Sequence, residues 1–344
     1  MAHKRITMQQ LADACGLSRN TVSKVFNDRG SVPETTRQMV LQKAKELKYY
    51  QGFEEEPSKP ELPKLPNIAL LTQRIPVDAH FGTFFLPAFT ERLSRAGYML
   101  TMYEITPEEL RTCALPSHMI LEQTAGISVI EMFNSQYLDM LCSLGLPCIS
   151  VDSYAKAYLM PIKCDFIFME NIASATAVTE HIIAAGARNL GFIGDPEHCD
   201  SFYQRWVGFF STLKRAGLSL NKSICVLEQD NPNYSNEDWL LAQIERMPLR
   251  PDALICANDF LALHVINALK RMGLSIPGDV MVAGFDGIPQ SAVVEPSLTT
   301  VQIPNTDIGR MAADILLNRL ENPNRPFCTT YVQTTPVWRN STAR

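Results

Sequence analysis

No two of the nine cysteines are spaced Cys-x-x-Cys, and their count is odd. That spacing leaves no zinc-ribbon or dithiol redox motif, and scattered thiols fit a reducing compartment better than a disulfide framework. No apolar run approaches the ~20 residues needed to cross a bilayer, and Met1–Thr7 is polar with no apolar stretch behind it. No secretory signal is expected, and the cytoplasm is the expected location. Neither a Walker A run nor Gly-x-Gly-x-x-Gly occurs, so a nucleotide-phosphate cradle is not indicated. No nucleophile and base stand at a recognisable catalytic spacing. The sequence thus predicts no metal, no cofactor, no membrane contact and no enzymatic activity.

What the chain does have is size, apolar content and an uneven charge. At 344 residues and 46% hydrophobic, it exceeds what one core usually serves, which predicts two or three domains. The net charge of −5 hides an asymmetry. Residues 1–50 hold nine Lys/Arg and four Asp/Glu, a net of +5, so the remainder carries −10. A basic head on an acidic body predicts one domain that meets phosphate and one that does not.

Within the head, Thr7 followed by Gln10 forms a capping-box pattern that opens a helix, with Leu11 and Ala12 turned inward. Gly16 suits a tight turn. Ser18 can cap a second helix from Arg19 to about Asn27, and Pro33-Glu34 introduces a third, running to about Tyr49. In the second helix Val22, Val25 and Phe26 share one stripe, which leaves Arg19, Asn20, Ser23, Lys24 and Asn27 on the other. A short polar helix with only positive charges, joined by a tight turn to another, suits the major groove of DNA. Arg and Lys pair with guanine O6/N7, and Asn with adenine N6/N7. A solvated basic face is the plainer reading of the same residues.

After residue 66 short apolar runs alternate with helix-like segments. Strands are expected at 67–72, 99–103, 126–131, 148–151, 190–193, 253–256 and 280–285, and a helix over 84–96 that ends at Gly97. This alternation predicts doubly wound parallel sheets in two lobes. In such sheets ligands gather at the carboxyl ends of strands. Asp152, Asn258 with Asp259, and Asp286 stand at those ends, although each also suits a helix cap. His80, Phe81, Phe84 and Phe85 follow the first strand and can line a cleft, or, for Phe84 and Phe85, a core. Residues 132–137, Tyr234 and Trp239 find no place in this scheme.

The head run from Thr7 to Asn27, with Ser18-x-x-Thr21-Val22-Ser23-x-Val25-x-Asn27 and then Thr36-Arg37, resembles the LacI/GalR family of regulators. The body adds Arg205-x-x-Gly208-Phe209, Pro251-x-Ala253-x-Ile255-x-Ala257-Asn258-Asp259, Ile276-Pro277-x-Asp279-Val280-x-Val282-x-Gly284-Phe285-Asp286 and Arg339-x-Ser341-Thr342. The resemblance implies a helix-turn-helix headpiece (1–50), a linker (51–66) and a periplasmic-binding-protein-like core (67–344). One lobe would hold about 67–164 and 302–326, and the other about 165–301 and 327–344. It implies base readers at Arg19, Asn20 and Lys24, and phosphate contacts from Thr7, Ser18, Thr21, Ser23 and Asn27. It also implies effector contacts at Asp152, Arg205, Asn258 and Asp286, a set suited to a sugar or other hydroxylated ligand. The expected protein is a homodimeric repressor on a palindromic operator, governed by that ligand. No heptad tail follows Thr342, so a tail-mediated tetramer is not expected.

Three regions depart from the resemblance. The linker lacks the usual leucine-bearing hinge helix; it reads Glu54-Glu55-Glu56 and then proline at 57, 60, 63 and 66. That pattern favours a semi-rigid polyproline II spacer, with Phe53 read as an exposed linker aromatic first and a substitute minor-groove wedge second. Residues 105–122 lack the usual charged helix. Asn171 follows Glu170 where Asp-Asn is typical, and Ala187 stands where His is typical.

Overall fold

The computed structural model describes residues 6–27, 32–47, 49, 65–73, 81–159, 162–229 and 232–344. Residues 1–64 and 65–344 form separate compact units. Nearly all of the expected linker, with Phe53, and His80 lie outside the described residues.

The first unit holds helices α1 (Met8–Cys15), α2 (Arg19–Asn27) and α3 (Glu34–Glu46). The capping box is formed: Gln10 N donates to Thr7 Oγ1 at 3.3 Å, and Thr7 N donates to Gln10 Oε1 at 2.9 Å. Gly16 ends α1 at φ 65°, a left-handed conformation natural to glycine. Leu11, Ala12, Val22, Val25, Val40 and Ala44 make the core, joined by Tyr49, whose ring tilts against Phe26 at 5.9 Å.

The second unit begins with β1 (Asn67–Thr72), α4 (Phe81–Arg95), β2 (Met99–Glu104), α5 (Pro107–Thr112), β3 (Thr124–Ile130), α6 (Ser135–Ser143), β4 (Cys148–Val151) and β5 (Asp165–Met169). It continues through α7 (Ile172–Ala184), β6 (Leu190–Ile193), α8 (Asp200–Arg215), α9 (Glu237–Glu245), β7 (Ala253–Cys256), α10 (Asp259–Arg271), β8 (Met281–Ala283) and α11 (Gln290–Val293). Last come β9 (Thr300–Gln302), α12 (Asn305–Glu321), β10 (Thr329–Val332) and β11 (Thr335–Val337).

Six strands in the order β10-β5-β4-β3-β1-β2, all parallel, form the first lobe. Side chains alternate through it as the pleat requires. Ile68, Leu70, Ile149 and Ile167 meet Phe85 and Phe89 of α4 and Leu316 of α12. Ala69, Leu71, Ile127, Val129 and Phe166 fall on the opposite side with Tyr137, Leu138 and Leu141 of α6. The α4–α12 approach depends on Gly309, where a Cβ would come within 2.5 Å of Phe85 O. The second lobe is a parallel sheet β6-β7-β8, surrounded by α7 to α10.

Three predicted features are corrected. The second lobe was expected to begin at 165 and resume at 327, yet β5 pairs with β4, and β10 with β5, in the first sheet. The crossings therefore follow Met169 and Val332, because periodicity marks a strand without saying which sheet it joins. The third head helix ends at Glu46, not near Tyr49. Within 105–122, the short α5 forms behind a second capping box, Thr106 with Glu109.

Candidate DNA interface and ligand site

On α2, Arg19, Asn20, Lys24 and Asn27 are exposed, Thr21 and Ser23 half-buried, and Val22 and Val25 buried. The helix carries no acidic residue. Ser18 caps it, its Oγ accepting from Thr21 N at 3.1 Å, and Asn27 Nδ2 donates to Ser23 Oγ at 3.2 Å. The free N–H groups of a helix start, with the positive end of its dipole, favour a phosphate oxygen. Thr7 is exposed at the start of α1, its hydroxyl shared with the capping box.

In the body, Arg205 is the hub. It is 4% exposed on α8. Its Nε donates to Asn171 Oδ1 at 2.9 Å and its Nη1 to Ala257 O at 2.6 Å. Nη1 also lies 3.0 Å from Asp286 Oδ1. The guanidinium sits 3.8 Å from the centre of the Phe285 ring, a cation–π contact. Asn258, beside Ala257, caps α10 with Oδ1 accepting from Leu261 N at 3.0 Å.

Asp152 ends β4 at φ 60°, and Asp286 sits at φ 114°. These are two of five described non-glycine residues with positive φ, a sparsely populated conformation that Asp adopts more readily than most residues and that clusters at functional sites. Asp152 Oδ1 accepts from its neighbour Ser153 N at 2.8 Å. Burial pushes its carboxyl up to about 6, against hydrogen bonds from Ser201 and Ser153 and the charge of Arg205. Asp259 is fully buried, accepting from Thr300 Oγ1 at 2.5 Å and Ile288 N at 3.0 Å. Burial, then the charge of Asp286, pushes Asp259 up to about 8.

The cap alternative is thus realised for Asn258, whereas Asp152 and Asp286 cap no helix. Phe84 is exposed while Phe85 is core. Phe84 and Asp286 line a cavity of about 380 Å³ with Gly287, Gln302 and Asn305. A larger hollow of about 710 Å³ lies elsewhere, against Phe166, Phe168, Tyr203 and Tyr331, and includes none of the four predicted effector residues. Asn171 and Phe285, which hold Arg205, were not singled out as site residues. Their signal was positional, since both lie at or just past a strand's carboxyl end.

Family comparisons agree with this division. Residues 7–51 match the family of bacterial regulatory proteins named for lacI, and residues 179–342 match the periplasmic binding protein-like domain. The chain joins a LacI-type DNA-binding domain to a periplasmic-binding-protein-like domain. The transcriptional repressor PurR of Haemophilus influenzae is 28% identical over 324 residues, 91% of each chain. Among solved structures, the regulator CelR in complex with cellobiose superposes with a TM-score of 0.70 at 21% identity, covering 98% of this chain and 100% of that one. The lac repressor dimer bound to operator and an anti-inducer gives 0.70 at 21%, covering 99% and 100%. With these two domains the chain is a DNA-binding transcriptional regulator with an effector-binding type of body. Among its described residues, no helix is long and apolar enough to cross a membrane.

Proposed function

We propose that this chain is a cytoplasmic, homodimeric repressor that reads a palindromic operator and is controlled by an uncharged, hydroxylated metabolite, a carbohydrate. Arg19, Asn20 and Lys24 read bases. Thr7, Ser18, Thr21, Ser23 and Asn27 meet phosphates. Asp152, Arg205, Asn258, Asp286 and Phe84 hold the ligand.

One observation carries the ligand class. The charge of Arg205 is already met by Asp286 at 3.0 Å, and Asp152 adds a second carboxylate within electrostatic reach. An anionic ligand would face two carboxylates against one compensated guanidinium. A neutral polyol instead finds acceptors in the carboxylates and both roles in an amide. The cellobiose complex of CelR and the operator-bound lac repressor dimer support the sugar and the dimer. Ligand and DNA are coupled as a population shift, for which ~1–3 kcal/mol is typical.

The test is selection of binding sites from a random duplex pool, with and without a panel of sugars. A palindrome is expected, lost in Arg19→Ala and Asn20→Ala, with one sugar changing its yield. Salt-sensitive binding without an enriched sequence would refute the operator reading. Response only to acids or phosphates would refute the ligand class.

A further inference from the structure

Three cysteines that are far apart in sequence meet on the α6 side of the first lobe. Cys142 lies on α6, Cys148 opens β4, and Cys164 immediately precedes β5. Their three Sγ atoms all lie within 4.8 Å of one another. Cys148 and Cys164 are buried and Cys142 is half-buried, and Cys164 also borders the hollow of about 710 Å³. All nine cysteines are free, and among the described residues no other group of three or more His, Cys, Asp or Glu converges in this way. The surroundings are apolar: Leu138, Leu141, Phe166 and Tyr154 belong to the same cluster.

Donor set and charge together decide what could sit there. The cluster offers three sulfurs and neither a histidine nor a carboxylate. Zinc in structural sites takes four ligands, and three thiolates would leave it with net charge −1. A monovalent soft ion such as Cu(I) would leave −2. Asp139 and Asp165 act on these thiols, and the cation within reach, Arg319, is already paired with Asp165, so a buried negative complex would be costly. A trivalent thiophilic centre with three thiolates is neutral. Bonds of about 2.3 Å, as for zinc–sulfur, hold three sulfurs about 3.5–4 Å apart, a contraction of at most about 1.3 Å from the present arrangement.

We propose that Cys142, Cys148 and Cys164 form a binding site for a trivalent thiophilic metalloid of the arsenite or antimonite class. The exchange is As(OH)3 + 3 RSH → As(SR)3 + 3 H2O. Three As–O bonds break, three As–S bonds form, each thiol proton leaves as water with a hydroxide, and nothing is oxidised or reduced. The cluster stands at the amino ends of β4 and β5, and Asp152 follows the carboxyl end of β4. The metalloid would clamp α6 to two strands from the end remote from the ligand residues.

The experiment uses the reduced full-length protein and arsenite as probe. Thiols are alkylated and mapped by mass spectrometry with and without two equivalents of arsenite. One arsenic per chain is expected, with alkylation of Cys142 slowed at least tenfold and that of exposed Cys328 unchanged. Cys142→Ser should weaken arsenite binding at least tenfold, while Cys328→Ser keeps it. Unchanged alkylation of Cys142 overturns the proposal without any variant having to fold. Equal protection of Cys142 and Cys328, or tighter binding of Zn(II) or Cu(I) than of arsenite, overturns it as well.

Discussion

Asn258 serves two purposes through one amide. Its Oδ1 caps α10, while its Nδ2 has no partner among the described residues and is available to a ligand. Serine keeps the cap but has no amide to donate. Asn258→Ser is therefore expected to hold thermal stability within about 0.5 kcal/mol, whereas Asn258→Ala loses about 1 kcal/mol. Both should lose the ligand-induced rise in melting temperature; a full rise in the serine variant would remove Asn258 from the site. Asp259 behaves differently, because its carboxyl is pushed up to about 8 by burial and by Asp286. A raised carboxyl favours the folded state while protonated, and that contribution disappears as pH climbs from about 4, its unfolded value, through the folded value. Melting temperatures at pH 6 and pH 9 should then fall more steeply in the parent than in Asp259→Asn. Parallel curves would contradict the assignment.

Between elements, the strongest tie is polar and buried. Arg319 near the end of α12 grips Asp165 at the start of β5 through two bonds, Nε to Oδ2 at 2.8 Å and Nη2 to Oδ1 at 3.0 Å. Its Nη groups also donate to the carbonyls of Pro323 at 3.1 Å and Pro326 at 2.9 Å. This strap fixes the loop that delivers β10 to the sheet edge. Burial alone would raise the Asp165 carboxyl, but Arg319, the Cys328 N–H and Arg325 together hold it below the usual range. Its contribution is present above the unfolded value near pH 4 and disappears as pH falls further. Arg319→Met should cost about 3–5 kcal/mol in denaturant unfolding, since it strands a buried charge, and should flatten the acid limb of the stability curve. A loss under 1 kcal/mol would mean that the strap is replaceable.

Much of this architecture was legible because short apolar runs bounded by caps say strand and helix locally. The runs at 148–151, 190–193 and 253–256 fell where expected. Helix α5 has the signature Thr106-Pro107-Glu108-Glu109 but no apolar stripe behind it, so it went unread. Helix α6 hid behind its Asn134 cap. Tyr234 turned out to be buried, donating to Glu228 O at 2.9 Å and packing edge-on against Trp239. Pairings across long separations, Arg205 with Asp286 or Cys142 with Cys164, leave no local pattern at all. They arise only when strands from distant parts of the chain are laid side by side.

For the whole molecule, charge is divided between the two units. The basic head suits a polyanion, and the acidic remainder discourages indiscriminate contact with it. Operator affinity should fall steeply with salt, and Lys24→Ala, removing a base reader, should cost about 1–3 kcal/mol and relax specificity at one base pair. Unchanged specificity at every operator position would take Lys24 off the bases. By reciprocity, whatever factor the ligand applies to operator binding, the operator must apply to ligand binding. Isothermal titration of the ligand with and without operator measures it.

The Arg205–Asp286 pair makes the second of those titrations unusual. An uncharged guest entering a site whose cation is already neutralised by its own protein displaces no condensed ions. Measured without operator, its dissociation constant should stay level across the range of ionic strength over which the operator complex melts away. With ligand saturating, ionic strength then tunes the grip of the head while the body stays occupied.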